Sequence, residues 1–221
     1  DDLRVTVLDV GQGMSVVVET THGVLVYDLG PVYPGGFSTA GAVVMPFLAA
    51  RGIATVDTLI ISHDDTDHSG AYGHFLDGIE TGSRLSGQPA NFDVAFDSCH
   101  AQPPWQWKDT AFTFLSVEQA AATDNDRSCV LLIEHPSARI LVTGDITGRI
   151  EKALIEQFPQ IGNVDLVTMP HHGSRSSSTE DFVKFLRADH VVATAGWKNW
   201  RPWSATIPSW RLSRPPNLTR S

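Results

Sequence analysis

A chain of 221 residues, 42% of them hydrophobic, holds enough apolar material for one large globular core or two small ones. Its formal charge of −9 is uneven: residues 197–221 carry five basic side chains and no acid, leaving 11 basic against 25 acidic side chains, a balance of −14, over residues 1–196. So acidic a surface argues against a high-affinity, non-specific binder of nucleic acid, but does not exclude an enzyme that meets a phosphodiester at metal ions.

Residues 4–10 alternate apolar and polar side chains, and 15–20 and 24–27 are further β-rich runs, separated by Gly11-Gln12-Gly13 and His22-Gly23. This pattern predicts an N-terminal meander. Residues 39–51 place Val43, Val44, Phe47 and Leu48 at helical spacing, with Gly52 as the stop. Residues 56–61 read as a buried strand that runs straight into a polar loop. Further on, 92–96, 111–115, 129–134 and 139–143 read as strands and 147–158 as a helix. After them come a buried strand at 164–169, a helix at 179–186 and a final strand at 190–195. Strands in series within each half, with helices between and after, predict an α/β protein. The architecture expected for residues 1–196 is an αββα sandwich of two packed mixed sheets with outer helices. No apolar stretch approaches the roughly 20 residues that cross a bilayer. The start, Asp1-Asp2-Leu3-Arg4, lacks the basic and apolar regions of a signal peptide, so any membrane link is expected outside this chain.

The chemistry concentrates in the loop after residues 56–61, Ser62-His63-Asp64-Asp65-Thr66-Asp67-His68. In the pattern His63-x-Asp65-x-Asp67-His68, two imidazoles and two carboxylates gather on one short turn, a donor set for a dication. A solvated acidic loop capping a helix at Ser69 is the plain alternative. Two other strand ends carry ligand-type residues: Gly144-Asp145 and Pro170-His171-His172-Gly173-Ser174. Alone, the first is an ordinary turn and the second a surface loop. Together with the opening loop they put metal ligands on three strand ends, and strand ends on one edge of an α/β sandwich converge on a common site. His22, His74, His100, His135 and His190 lie off these ends and read as surface or satisfied-core residues. Asp64 is expected to face solvent, and Asp28 to support the ligands from behind. Gly11 to Gly13 fit either a backbone N–H cradle near the metals or a simple turn. Cys99 and Cys129 are two buried thiols or one disulfide.

These motifs resemble the metal-binding motifs of metallo-β-lactamase-fold hydrolases. Leu8-Asp9-Val10-Gly11-Gln12-Gly13, the strand end Val26-Tyr27-Asp28-Leu29-Gly30 and Asn125-Asp126-Arg127-Ser128 narrow the resemblance. They are similar to the C-terminal extracytoplasmic domain of the ComEC family of DNA-uptake competence proteins, over about Val5 to Gly196. The resemblance implies two divalent metal ions: His63 and Asp65 hold one, Asp67, His68 and His171 hold the other, and Asp145 bridges them. It gives Asp67, Asp145 and His172 to catalysis, with His172 as a donor behind the ligands or a contact to a substrate phosphate. Asp65 stands where the superfamily more usually has a histidine; the oxygen-rich set keeps manganese open beside zinc. Two such ions suit phosphoester hydrolysis.

The implied protein is a metal-dependent phosphodiesterase, a nuclease acting on DNA during uptake, on the strand that is not taken up. DNA is its substrate, and it meets a membrane only through a channel domain outside this chain. Its place is the periplasmic face of an inner-membrane protein, where Cys99 and Cys129 form a disulfide. A cytoplasmic stand-alone hydrolase is the alternative location. The rival functions are a small-molecule metallo-hydrolase, such as a lactonase or phosphodiesterase, and a catalytically silent DNA-binding or scaffold domain. The oligomeric state is left open. Two departures from the family pattern stand out. Asn125-Asp126-Arg127-Ser128 lies where many relatives place a ligand histidine, and no histidine follows His190. Residues 197–221 hold four of the six tryptophans and four of the 13 prolines without periodicity. They are expected to be an atypical ending, produced by a reading-frame shift or truncation after about Asn199.

Overall fold

The computed structural model describes residues 2–196; the Trp/Arg/Pro-rich stretch expected to be an atypical ending lies outside the described residues. In chain order the strands are β1 (Arg4–Val7), β2 (Val16–Thr20), β3 (Gly23–Tyr27), β4 (Thr55–Ile61), β5 (Glu80–Ser86) and β6 (Asp97–Ser98), then β7 (Trp105–Trp107), β8 (Thr110–Phe114), β9 (Leu131–His135), β10 (Ala138–Val142), β11 (Leu166–Thr168) and β12 (His190–Val192). The α-helices are α1 (Met45–Ala50), α2 (Thr66–Ser69), α3 (Tyr72–Gly78), α4 (Gly148–Gln157) and α5 (Glu180–Leu186). One six-stranded sheet runs β1-β2-β3-β4-β5-β6 and the other β12-β11-β10-β9-β8-β7. Each sheet joins antiparallel hairpins to parallel strands. β1 to β3 and β7 to β10 pair antiparallel, whereas β3 to β6 and β10 to β12 pair parallel.

Side-chain alternation along the strands builds three apolar layers. Val16 and Val18 of β2 point between the sheets, together with Leu131 and Ile133 of β9 and Ile140 and Val142 of β10. Val17, on the opposite face of β2, packs outward with Leu59, Leu48 and Phe75. Leu132 and Leu141 likewise face out toward Ile150, Leu154 and Phe182 of α4 and α5. A strand buried on both faces must be apolar at every position, which explains the unbroken Val16-Val17-Val18 run. The result is the expected αββα sandwich. The Cys99–Cys129 disulfide is present, with Cα atoms 5.9 Å apart, and joins the segment after β6 to the entry of β9.

Several elements differ from the sequence reading. Residues 92–96 form no strand, and only Asp97–Ser98 pairs, against β5. Phe92 and Phe96 instead cluster with Tyr72, with ring centroids 4.6 to 6.4 Å apart, and the Tyr72 hydroxyl donates to Asp93. The helix expected over 39–51 begins as a wide π turn at Ala40–Val44 and becomes α1 only at Met45. Pro46 has no N–H to give to Ala42, and the wider turn lies immediately before it.

Candidate metal centre

The parallel strands carry the site at their C-terminal ends. β3 ends at Tyr27, and Asp28 follows, fully buried. Its Oδ1 accepts from the backbone N–H of Ser62 at 2.7 Å, and its Oδ2 from the Ser62 hydroxyl at 2.8 Å. The same Oδ2 lies 2.7 Å from His68 Nδ1. A carboxylate can only accept, so Nδ1 carries the proton and Nε2 is turned into the site. There His68 Nε2 meets Asp145 Oδ1 at 3.0 Å and His172 Nε2 at 3.1 Å.

β10 delivers Asp145 through Gly144, whose φ of 57° belongs to the left-handed region. A Cβ there would lie 2.8 Å from Ser128, so only glycine fits. The Ser128 hydroxyl accepts from the Asp145 backbone N–H at 3.0 Å. β11 delivers His171 and His172, both left-handed at φ 48° and 51°, with the His171 N–H donating to the Gly144 carbonyl. His172 Nε2 stands 3.2 Å from Asp67 Oδ2 and 3.3 Å from Asp145 Oδ2, while its Nδ1 meets the Thr194 hydroxyl at 2.8 Å. Gly13 closes the floor. A Cβ on it would strike the Asp67 carbonyl at 2.2 Å, and its N–H goes to Thr194, so the Gly11 to Gly13 segment is a close-packed turn.

Of the predicted ligands, His63, Asp67, His68 and Asp145 fall into two overlapping groups, and Asp65 and His171 border on the first. His63, His68 and Asp145 form one set with mutually close donor atoms, and Asp67, His68 and His172 form another. Asp65 lies at the rim, its side chain 47% exposed and its Oδ2 3.3 Å from His63 Nε2. His171 is 31% exposed. Its Nε2 is 3.9 Å from Asp145 and 3.3 Å from the Asn125 amide. Asp64 accepts from the Asn91 amide outside the site.

The charges are mutually matched. Burial alone would push His68 down, but Asp145 and Asp28 on its two sides raise its pKa well above the ordinary value. Burial also opposes the charge on His172, yet hydrogen bonds to Asp145 and Asp67 raise it to about 9. Burial would lift Asp145; His68 and His172 hold it well below the usual carboxylate range. Asp67 is lowered by His172 and His68 against its burial, and Asp65 by the His63 imidazole 3.3 Å away. These imidazole and carboxylate donors face one another so closely that they need protons or cations between them. Within the cluster, the buried His63 Nε2 and Asp145 Oδ1 lie 3.3 Å from Asp65 Oδ2 and 3.0 Å from His68 Nε2 but without hydrogen-bonding geometry. Buried nitrogen and oxygen ligand atoms that face one another unbonded at the heart of a His/Asp cluster fit a divalent ion.

Four supporting residues escaped the sequence reading. Ser62 and Ser128 flank the His63 ring at 2.9 and 3.4 Å from Nδ1. Thr194 follows β12 as Asp145 follows β10, and that strand-end position was the available signal. Glu151 is fully buried on α4 between Ile150 and Leu154. It accepts from the backbone N–H groups of Ser178 and Thr179 and from the Thr179 hydroxyl, fixing the segment that follows His172. A charged residue on the apolar face of a helix was its signal.

An αββα sandwich with this His/Asp cluster at its strand ends defines a metal-dependent hydrolase fold. The chain belongs to the Metallo-beta-lactamase superfamily, whose profile matches residues 8–197. It is 35% identical over 202 residues to Competence protein ComA of Neisseria gonorrhoeae, covering 90% of this chain and 28% of that protein. It is 30% identical over 202 residues to Recombination protein 2 of Haemophilus influenzae, covering 90% and 25%. The chain therefore spans about a quarter of the length of these relatives. Among solved structures, the metallo-beta-lactamase fold protein YhfI of Bacillus subtilis superposes with a TM-score of 0.63 over 96% of both chains at 17% identity, a likeness of fold.

Proposed function

We propose that this chain is a two-metal phosphodiesterase that acts as a nuclease on DNA during uptake. The observation that carries the reading is Asp145. Its buried carboxylate belongs to the His63–His68 group through Oδ1, 3.0 Å from His68 Nε2, and reaches the Asp67–His172 group through Oδ2, 3.3 Å from His172 Nε2. His63, Asp65 and Asp145 would hold one ion, and Asp67, His68, His172 and Asp145 the other, as zinc or manganese. The geometry favours exchanging the roles first expected of the two adjacent histidines. His172 points into the Asp67–His68 group, and His171, at the rim beside Asn125, would contact a substrate phosphate.

Bound there, two divalent ions supply Lewis acidity, which ionises water near neutral pH and stabilises charge at a phosphoryl group by several kcal/mol. The protein's own residues do the rest. Asp65, Asp67 and Asp145 offset three of the four positive charges of two dications, leaving one for the single negative charge of a phosphodiester. Asp28 holds the proton of His68 on Nδ1, which leaves Nε2 free to ligate. Asn125 and His171 form a polar rim that can donate to a non-bridging oxygen.

Similarity to Competence protein ComA supports DNA as the substrate, and the buried Cys99–Cys129 disulfide supports an extracytoplasmic location. Among the described residues no helix is long and apolar enough to cross a membrane. The test is hydrolysis of single-stranded DNA, duplex DNA, a generic phosphodiester and a lactone in zinc or manganese, with metal analysis of wild type and Asp67→Ala. The expected result is cleavage of phosphodiesters by wild type and a loss of at least about 100-fold in the variant, together with metal. A variant that keeps both metal and activity sinks the mechanism, and turnover of the lactone alone redirects the site to small molecules.

A further inference from the structure

Among the described residues, the exposed large apolar side chains are Tyr33, at 39%, and Phe37, at 56%. They share one short loop after β3, and the loop is built to hold them outward. Val32 and Ser38 pair across it, the Tyr33 N–H donates to the Phe37 carbonyl at 2.8 Å, and the Gly36 N–H returns to Tyr33 at 3.1 Å. Gly35 and Gly36, at φ 94° and 85°, make the reversal that side-chain-bearing residues rarely adopt. At its base the Thr39 hydroxyl lies 2.8 Å from the carbonyls of both Leu29 and Pro31. The two rings stand 5.9 Å apart at a 41° tilt.

The loop is anchored on the turn that carries the metal ligands. The Leu29 N–H donates to the His68 carbonyl at 3.0 Å, and the Ala71 N–H to the Gly30 carbonyl at 3.2 Å. A Cβ on Gly70 would lie 2.9 Å from the Val32 nitrogen, and one on Gly11 would lie 3.0 Å from the Tyr33 hydroxyl. Gly13, two residues beyond Gly11, packs against the Asp67 backbone. The aromatic pair therefore stands at the rim of the Asp67–His68 turn. Residues 29–50 contain no charged side chain, so this rim cannot hold a polyanion by charge. An aromatic ring can hold a base by stacking, which needs only a π face.

We propose that Tyr33 and Phe37 form a stacking platform for an unpaired nucleobase next to the phosphodiester in the site, which makes single-stranded nucleic acid the substrate class. The proposal rests on the phosphodiesterase reading. A base in a duplex is already stacked on its neighbours and cannot reach the platform without being unpaired.

The test compares the manganese-loaded chain with its Tyr33→Ala/Phe37→Ala variant on two single strands of equal length, one bearing bases and one abasic. The wild type should prefer the base-bearing strand, and the ratio of kcat/KM values should fall at least about fivefold in the variant. Phe37→Trp should keep the preference, and the base-bearing strand should quench its fluorescence. Equal cleavage of both strands by wild type, or an unchanged ratio in the variant, overturns the platform. So does a variant that only loses self-association, which makes the pair a protein interface. If wild type cleaves no phosphodiester, the phosphodiesterase reading itself fails. Quenching of Phe37→Trp by the base-bearing strand and not the abasic one then still supports stacking, and its absence rejects it.

Discussion

The two turns that meet at the metal centre are built in opposite ways. On the first sheet, Ser62 to His68 leaves β4 with its ligands in one continuous turn, backed by the buried Asp28 carboxylate that bonds both Ser62 and His68. On the second sheet, His171 and His172 sit in consecutive left-handed conformations and are held from outside. Glu151 of α4 clasps Ser178 and Thr179, and the Ser176 carbonyl accepts from the Gly148 N–H at 2.7 Å. The first turn is held directly, by a buried carboxylate bonded to its own residues, whereas the second is held at one remove, by a helix that clasps the segment following it. Mutations should therefore act on the two halves differently.

The largest effect on stability should come from the disulfide, which ties Cys129 beside the first turn, where its N–H donates to the Ser62 carbonyl. Closing a separation of 30 residues stabilises the fold by about 3 to 4 kcal/mol in the chain-entropy account. A Cys99→Ser/Cys129→Ser variant should show that loss in denaturant unfolding, and an unchanged midpoint would remove the staple from the comparison. Next in size is Asp28→Asn, which keeps the shape but removes the charge behind His68. Metal affinity, read by titration, should fall about 10- to 100-fold with little change in folding. Glu151→Ala should cost about 1 to 2 kcal/mol by leaving buried N–H groups of Ser178 and Thr179 unpaired, with Glu151→Gln recovering part of it. If the clasp positions His172, the alanine variant should also weaken metal binding; equal affinity would show that the second turn holds itself.

The smallest effect is on pH dependence. His172 is raised from 6.5 to about 9 in the folded, metal-free chain, so its stabilising contribution is complete below pH 6.5 and is lost as the pH climbs through about 9. The melting temperature of chelated protein should decline over that interval. Metal must displace the same proton, so the stabilisation given by added metal should grow over the interval. Parallel pH profiles with and without metal would break the link.

The difference between the turns also explains what could be read from the sequence. His63, Asp65, Asp67 and His68 follow an apolar strand within seven residues, so their gathering is legible from spacing alone, and Asp145 is flagged by the Gly-Asp strand end. Which of His171 and His172 points inward depends on two left-handed backbone angles that no pattern announces. The register of β5 was equally hidden. Glu80–Ser86 has a single large apolar residue, Leu85, and becomes a strand because β4 and β6 pair with it on either side. Residues 92–96 show the reverse error: their Phe spacing mimics a strand, but both rings pack against Tyr72 and the backbone pairs with β5 only from Asp97.

The most direct test of the central claim is metal content measured alongside cleavage of a single-stranded oligonucleotide in the same preparation, before and after chelation. Two bound ions per chain, with cleavage abolished by chelation and restored by manganese or zinc, are the predicted result. Undiminished cleavage by metal-free protein would contradict it.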